Sequence, residues 1–265
     1  MFKIIKSEAR NILLPNYKYF LLPTVLFMLS NAVAFLILNV LTNNYIWGNF
    51  NPALKLLITL LFLFAEFVFG PLSLAVLFRV SAFFCNNSSE DIKSYIKDFL
   101  NATSIKRIVL INLLPGGLTV LYNINDAENS GFNIFRLEGI ALLILMLFSH
   151  FINYKFFLCN YHFALNGLSA KETIAASFKN MKKKYLKYIL LNISFIHWEI
   201  LTIIIYALLK YIICFDNSHS LILAISTSTP YLDIFYPFWF GLGLYVIPYM
   251  YVTFSLFAKN ILIGK

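Results

Sequence analysis

The sequence predicts an all-α membrane protein: six transmembrane helices arranged as three hairpins, with amphipathic helices lying at the cytoplasmic interface. Three observations predict it. Of 265 residues, 60% are hydrophobic and only 12% are charged, against about 45–50% and about 25% in ordinary soluble domains. Six apolar segments reach or approach the ~20 residues that a helix needs to cross a hydrocarbon core about 30 Å thick. The lysines and arginines lie between those segments, biased to alternate gaps.

The segments read in order as one polytopic domain. The first is 19–41. The basic start (Lys3, Lys6, Arg10) and Ala32-Val33-Ala34 imitate a signal peptide, but the apolar run continues to Leu41 and Glu8 interrupts the basic stretch, so an uncleaved span is expected. The second, 54–84, is broken at Gly70-Pro71. The third, 105–122, is short and interrupted by Pro115-Gly116-Gly117. The fourth is 134–157 and the fifth 188–215. The sixth, 234–257, has Pro237 near its start and Pro248 inside.

Loop charge orients the spans. With the N-terminus inside, all of the 21 basic residues except Lys55, Arg136 and Lys210 fall on the inner side, while Asp126, Glu128, Asp216 and Asp233 mark the outer loops. Basic residues favour the cytoplasmic side, so both termini are expected in the cytoplasm of a bacterial cell membrane. A net charge of +9 distributed this way forms no continuous basic face for nucleic acid.

The inner segments carry helical signals of their own. In "SAKETIAASFKNMKKKYLKY", Ser169 followed by Glu172 is a capping box. Ile174, Phe178, Met181 and Tyr185 recur at helical spacing, and Lys182, Lys183 and Lys184 would meet anionic lipid headgroups. "SSEDIKSYIKDFL" repeats the pattern through Ile92, Tyr95, Ile96 and Phe99, and the N-terminus repeats it through Phe2, Ile5, Ala9 and Ile12. An interfacial helix feeding a hairpin would thus occur three times. The likeness of "GPLSLAVLFRV" to "IPYMYVTFSLF" supports the repeat.

Ionisable groups within the spans need a reason, because each costs roughly 2.5–3.5 kcal/mol to insert. In "NISFIHWEIL", His197 and Glu199 are two residues apart, about 200° around a helix, and cannot form one reaction centre. They read as polar contacts of a helix packed on two sides. The fourth span carries a stripe of Ser149, His150, Asn153 and Asn160, and Glu66 precedes the Gly70-Pro71 break. A carboxylate beside a broken helix resembles the binding sites of transporters. Glu66 and His150 are therefore expected to face a common interior cavity, with Asn153 and Glu199 as further candidate binding residues. No nucleophile elbow, phosphate loop or dinucleotide fingerprint is present. Cys85, Cys159 and Cys214 read as packing residues, and His162 and His219 have no ligand at metal spacing. No enzyme activity, cofactor or metal is expected.

"LSAKETIAASFKNMKKKYLKYILLNISFIHWEIL", with the later "YVIPYMYVTFSLFAKN", resembles the bacterial integral membrane proteins grouped as domain of unknown function 975. The matching residues are Leu168, Ser169, Ala170, Glu172, Ser177, Met181, Ser194, Phe195, Ile196, Trp198, Pro248 and Tyr249. "FVFGPLSLAVLFRVS" and "DIKSYIKDF" resemble the family's earlier half. His197 stands where the family has glycine, and residues 148–152 replace a Pro-Gly. The resemblance implies a polytopic architecture and carries no catalytic residues. The function expected is transport, accessory or protective work on an amphipathic or lipid-like molecule. The alternative is the permease of an ABC-type exporter, with 88–100 as its coupling helix and an ATPase as partner.

Overall fold

The computed structural model describes residues 2–42, 50–86, 91–128, 137–166, 169–198, 201 and 236–263; these are helices and their connecting turns, with no strand among them. In chain order the helices are α1 (Phe2–Thr42), α2 (Pro52–Phe64), α3 (Gly70–Cys85), α4 (Ile92–Phe99), α5 (Ala102–Glu128), α6 (Leu137–Phe156), α7 (Cys159–Asn166), α8 (Ala170–Asn180), α9 (Tyr185–Ile193) and α10 (Tyr236–Ile263). A five-residue π-turn, Ala65–Phe69, joins α2 to α3. Local chemistry sets the starts. Asn51 accepts from the Leu54 amide (2.8 Å) ahead of Pro52, Asp91 accepts from Ser94 (3.3 Å) and Asn101 from Ser104 (2.8 Å). The capping box at Ser169 and Glu172 is present as expected.

Three helical stretches are long and apolar enough to cross a membrane: Phe2–Ala34, Pro52–Cys85 and Leu242–Ile261. They pack on one another, with α1 against α3 and α10 and α3 against α10, and form the centre of the bundle. α5 pairs with α6 and touches the π-turn, while α7 lies on α3. The central helices carry small buried side chains: Ser81 and Ala82 on α3, and Ser255 and Ala258 on α10, are fully buried, and Ala75 of α3 is buried against α4, α5 and α7. Without a hydrophobic drive between helices in lipid, such close packing and its dispersion contacts hold them together. Ser73, Ser81 and Thr253 donate their hydroxyls to the carbonyl one turn back, at 2.7–2.8 Å.

The outer surface is apolar. Leu56, Leu60 and Phe64 on α2 are 62%, 54% and 55% exposed, and Leu22, Leu36, Leu113, Ile144, Leu147 and Phe148 are also exposed. A soluble monomer rarely shows apolar area on this scale. Basic residues gather at one end of the bundle. Lys259 donates to the Cys85 carbonyl (2.7 Å), Lys6 donates to the Ser194 carbonyl and lies over the Phe195 ring, and Arg79 stacks 3.3 Å from the Tyr95 ring centroid. Arg107 lies near enough to Glu172 to act on its charge.

Several expectations change. Pro115 and its glycines do not interrupt the third segment, because α5 runs unbroken through them. The fourth segment ends at Phe156, and Asn160 belongs to a separate helix after the turn at 157–158. The basic stretch is two helices, α8 and α9, separated by a turn in which Lys183 adopts a left-handed conformation (φ 62°). The amphipathic helices also turn their inner faces to the protein. Ile5, Ala9 and Leu13 are buried on α1, Ile92 and Phe99 on α4, and Thr173 and Ser177 on α8, whereas Phe178 is exposed. Of the fifth segment only residues up to 198 and Leu201 are described; the remainder, and with it the third hairpin and the threefold repeat, lies outside the described residues.

Pro248 shows how the bundle satisfies its backbone. Proline has no amide to donate to Leu244, one turn back; the Tyr17 hydroxyl of α1 donates to that carbonyl instead, at 3.1 Å. Tyr17→Phe is expected to lower stability by ~0.5–1.5 kcal/mol, the net contribution of a typical hydrogen bond, here part-buried. In a Pro248→Ala background the restored amide should cut most of that loss. Thermal unfolding of the four proteins of the cycle in detergent checks it; equal losses in both backgrounds would refute the pairing.

Candidate functional site

A cavity of about 370 Å³ lies among α1, the π-turn, α3, α5, α6, α7, α9 and α10. The π-turn sets its chemistry. The Gly70 amide reaches back five residues to the Ala65 carbonyl, a register that inserts one extra residue into the turn. Pro71 comes next and cannot donate, so an ordinary helical register would itself leave a carbonyl unpaired at this point. Glu66 sits within the turn and lines the cavity. Gly70 is needed where α1 crosses. A methyl there would stand 3.1 Å from the Ala65 oxygen and 3.4 Å from the Ser30 hydroxyl.

The other polar lining groups are largely engaged with one another. Ser30 and Asn31 both donate to the Phe27 carbonyl, each at 2.7 Å. Asn112 on α5 and Asn160 on α7 exchange amide hydrogen bonds at 3.2 Å in both directions, and Asn112 also donates to the Ile108 carbonyl at 2.8 Å. Asn153 of α6 lines the same cavity. Aromatic rings form the wall opposite. Phe78 and Phe27 meet Tyr251 edge to face (5.1 and 6.0 Å between centroids), Tyr251 meets Phe254 (5.8 Å), Phe254 meets Phe157 (5.4 Å), and Phe157 meets Tyr188 (5.0 Å). Edge-to-face pairs contribute about 0.5–1.5 kcal/mol each beyond area burial, which holds such a wall in place.

Of the residues expected at a binding site, the structure brings Glu66 and Asn153 to one cavity. His150 lies on α6, but its side chain is outside the described residues, as is the whole of Glu199. Among the described residues His197 is exposed, with its ring 5.2 Å from that of Trp198. It follows a turn at Ser194–Phe195 in which Phe195 is buried. Lys182 and Lys183 are exposed and Lys184 is half-buried. All three lie on the α8–α9 turn rather than along a helix face. The Tyr154 hydroxyl pins that turn by donating to the Met181 carbonyl and accepting from the Lys184 amide (3.3 Å).

Sequence reasoning missed Asn112, Ser30, Asn31 and the aromatic wall. Asn112 sits one turn before Pro115, and a lone amide in an apolar span was a usable signal; the rings were hidden among the chain's 28 phenylalanines and 16 tyrosines. Among the described residues no group of three His, Cys, Asp or Glu side chains is placed to hold a metal. Comparison with family models, curated proteins and solved structures gave no match, so the family resemblance rests on the residues quoted for it.

His162, at the basic end, joins α7 to α8: its Nε2 lies 3.0 Å from the Asn180 amide nitrogen, while its buried Nδ1 has no partner among the described residues. The geometry fits a neutral ring accepting from Asn180. Burial holds its pKa below the ordinary histidine value, so the unfolded chain takes up the proton first. The stability this site contributes is present above the ordinary histidine value, about 6.5, and is lost as pH falls through that value toward the lower folded one. The melting temperature should drop on acidification below about pH 6.5, and His162→Gln should flatten that slope. An unchanged slope in the variant would exclude His162 as the source.

Proposed function

We propose that this chain is a multi-pass protein of a bacterial cytoplasmic membrane whose interior cavity accepts an amphipathic or lipid-like molecule, in a non-enzymatic transport, accessory or protective role. The observation that carries the reading is the pairing of two surfaces. The bundle presents exposed leucines and phenylalanines outside, and forms a half-open aromatic cavity lined by one carboxylate and several amides among the described residues. Its volume of about 370 Å³ falls in the range of pockets that bury small organic molecules.

Six spans remain the proposed topology. At 1.5 Å rise per residue, α5 and α6, with 27 and 20 residues, are about 40 and 30 Å long, enough to cross. The basic end of the bundle is assigned to the cytoplasm with both termini, where Lys182, Lys183 and Lys184 would meet anionic headgroups. Membership of the domain of unknown function 975 group is proposed on the same footing. Its Leu-Ser-Ala-x-Glu pattern coincides with the capping box that starts α8, and its Pro-Tyr with Pro248-Tyr249 in α10. The exporter-permease alternative needs a coupling helix free to engage an ATPase. Here α4 commits Ile92 and Phe99 to its own bundle, leaving Lys93, Lys97 and Asp98 outward.

Two measurements test the reading. A cysteine introduced at position 183 should be labelled by a membrane-impermeant thiol reagent only after the inner face is opened; labelling from outside the intact cell overturns the orientation. Lipid extracts of the purified protein, analysed by mass spectrometry, should hold an amphipathic molecule that is depleted when Leu74→Trp fills the cavity. An unchanged extract removes the cavity from the function, and stoichiometric ATPase co-purification would favour the permease.

A further inference from the structure

The lining of the cavity is one-sided in charge, and this points to a narrower class of occupant. We propose that the cavity takes a lipophilic organic cation, with Glu66 as its counter-ion and the aromatic wall as its second contact; this refines the amphiphile reading above and rests on it.

Three observations converge. Glu66 is the one ionisable carboxylate of the lining, and no lysine, arginine or histidine lines the cavity with it among the described residues. An anionic guest would meet a like charge with no compensating group, a juxtaposition that disfavours binding. Next, several hydrogen-bond donors of the lining are engaged within the protein. Ser30 gives its hydroxyl proton and Asn31 one amide hydrogen to the Phe27 carbonyl, and Asn112 gives both of its amide hydrogens to Asn160 and Ile108. What these side chains leave unengaged is chiefly oxygen lone pairs, which suit a guest that donates or carries positive charge. Finally, the edge-to-face chain of rings from Phe27 through Tyr251 and Phe254 to Phe157 and Tyr188 supplies the electron-rich surface that attracts organic cations.

Size and composition exclude a bare metal ion as the natural occupant. A hard cation requires six or more oxygens at close range, whereas this cavity is about 370 Å³ and walled largely by carbon. A carboxylate in an apolar cavity lacks the hydration that stabilises its charge, and a bound organic cation supplies the compensating charge while leaving the wall dry. The apolar exterior of the bundle gives such a guest a route from the bilayer, where lipophilic cations already concentrate.

The experiment uses the full chain in nanodiscs of neutral phosphatidylcholine, with empty nanodiscs subtracted. Three probes are compared by equilibrium dialysis: tetraphenylphosphonium, its anionic near-isostere tetraphenylborate, and the neutral amphiphile N-phenyl-1-naphthylamine. Tetraphenylphosphonium is expected to bind saturably and tetraphenylborate is not. Glu66→Gln should weaken tetraphenylphosphonium by about tenfold or more, equivalent to ~1.4 kcal/mol, while changing the neutral probe less than about twofold, a margin of ~0.4 kcal/mol. Equal binding of the two charged probes, or an unchanged affinity in Glu66→Gln, overturns the proposal. Should Glu66→Gln lose both cationic and neutral probes, Asn153→Asp decides: a gain in tetraphenylphosphonium affinity from the added carboxylate upholds the proposal, and no gain overturns it. Binding of the neutral probe alone would leave the amphiphile reading standing without its cationic refinement, and binding of none of the three would end both.

Discussion

A backbone carbonyl or amide in hydrocarbon has no water to bond with, and each one left unpaired costs several kcal/mol. That constraint organises this bundle, because prolines stand in its long helices: Pro15 and Pro23 in α1, Pro71 at the start of α3, Pro115 in α5 and Pro248 in α10. Each proline deletes one helical hydrogen bond, and the backbone beside two of them shows different arrangements. At Pro248 a neighbouring helix supplies a donor, the Tyr17 hydroxyl, and α10 continues. Beside Pro71 the chain shifts to a π register, and the helix continues with one residue more than its regular count.

The two arrangements have different consequences. The Tyr17 bond ties α1 to α10 and strengthens the central packing. The π-turn instead changes direction around the axis. One inserted residue rotates the face of α2 by about 100° relative to that of α3; α2 presents leucines outward, and α3 buries ten of its sixteen residues. Glu66 lies in the turn itself and lines the cavity. The side chain that gives the cavity its charge thus sits in the π-turn that joins α2 to α3 just before Pro71. Gly70, too close to Ser30 and Ala65 to accept a methyl without movement, lets α1 close over that point.

The same constraint separates the features legible in the residues from those that were not. Helical class and the apolar segments come from composition and run length, properties of the chain alone. The Ser169–Glu172 box was legible because both partners lie within one turn. Pro115-Gly116-Gly117 misled because proline and glycine end helices in water, whereas here α5 is held by neighbours and Gly116 admits the Phe67 ring, 3.4 Å from where a methyl would sit. The amphipathic faces were drawn by counting the largest side chains, yet α8 buries Thr173 and Ser177, whose small size lets it approach α6, where Ser177 donates to the Lys155 carbonyl at 2.6 Å. Periodicity also fails across breaks. The turn at 157–158 separates Asn153 from Asn160, so the single helical stripe read through both spans two helices.

Asn153 and Asn160 nevertheless meet the same cavity, one from each side of a break. The spacing was misleading as geometry and informative as chemistry, for a reason of cost. A primary amide is unfavourable against lipid wherever it sits on a helix, so a span retains one chiefly where protein or water will receive it. Asn112 and Asn160 receive each other, and Asn31 is received by the Phe27 carbonyl. Glu66 differs from them in its charge: a lining rich in aromatic carbon and occupied amides offers it no fixed cation among the described residues. Asn31, Asn112 and Asn160 are received within the fold, and Glu66 is the lining group to which the proposed cation would bring a partner.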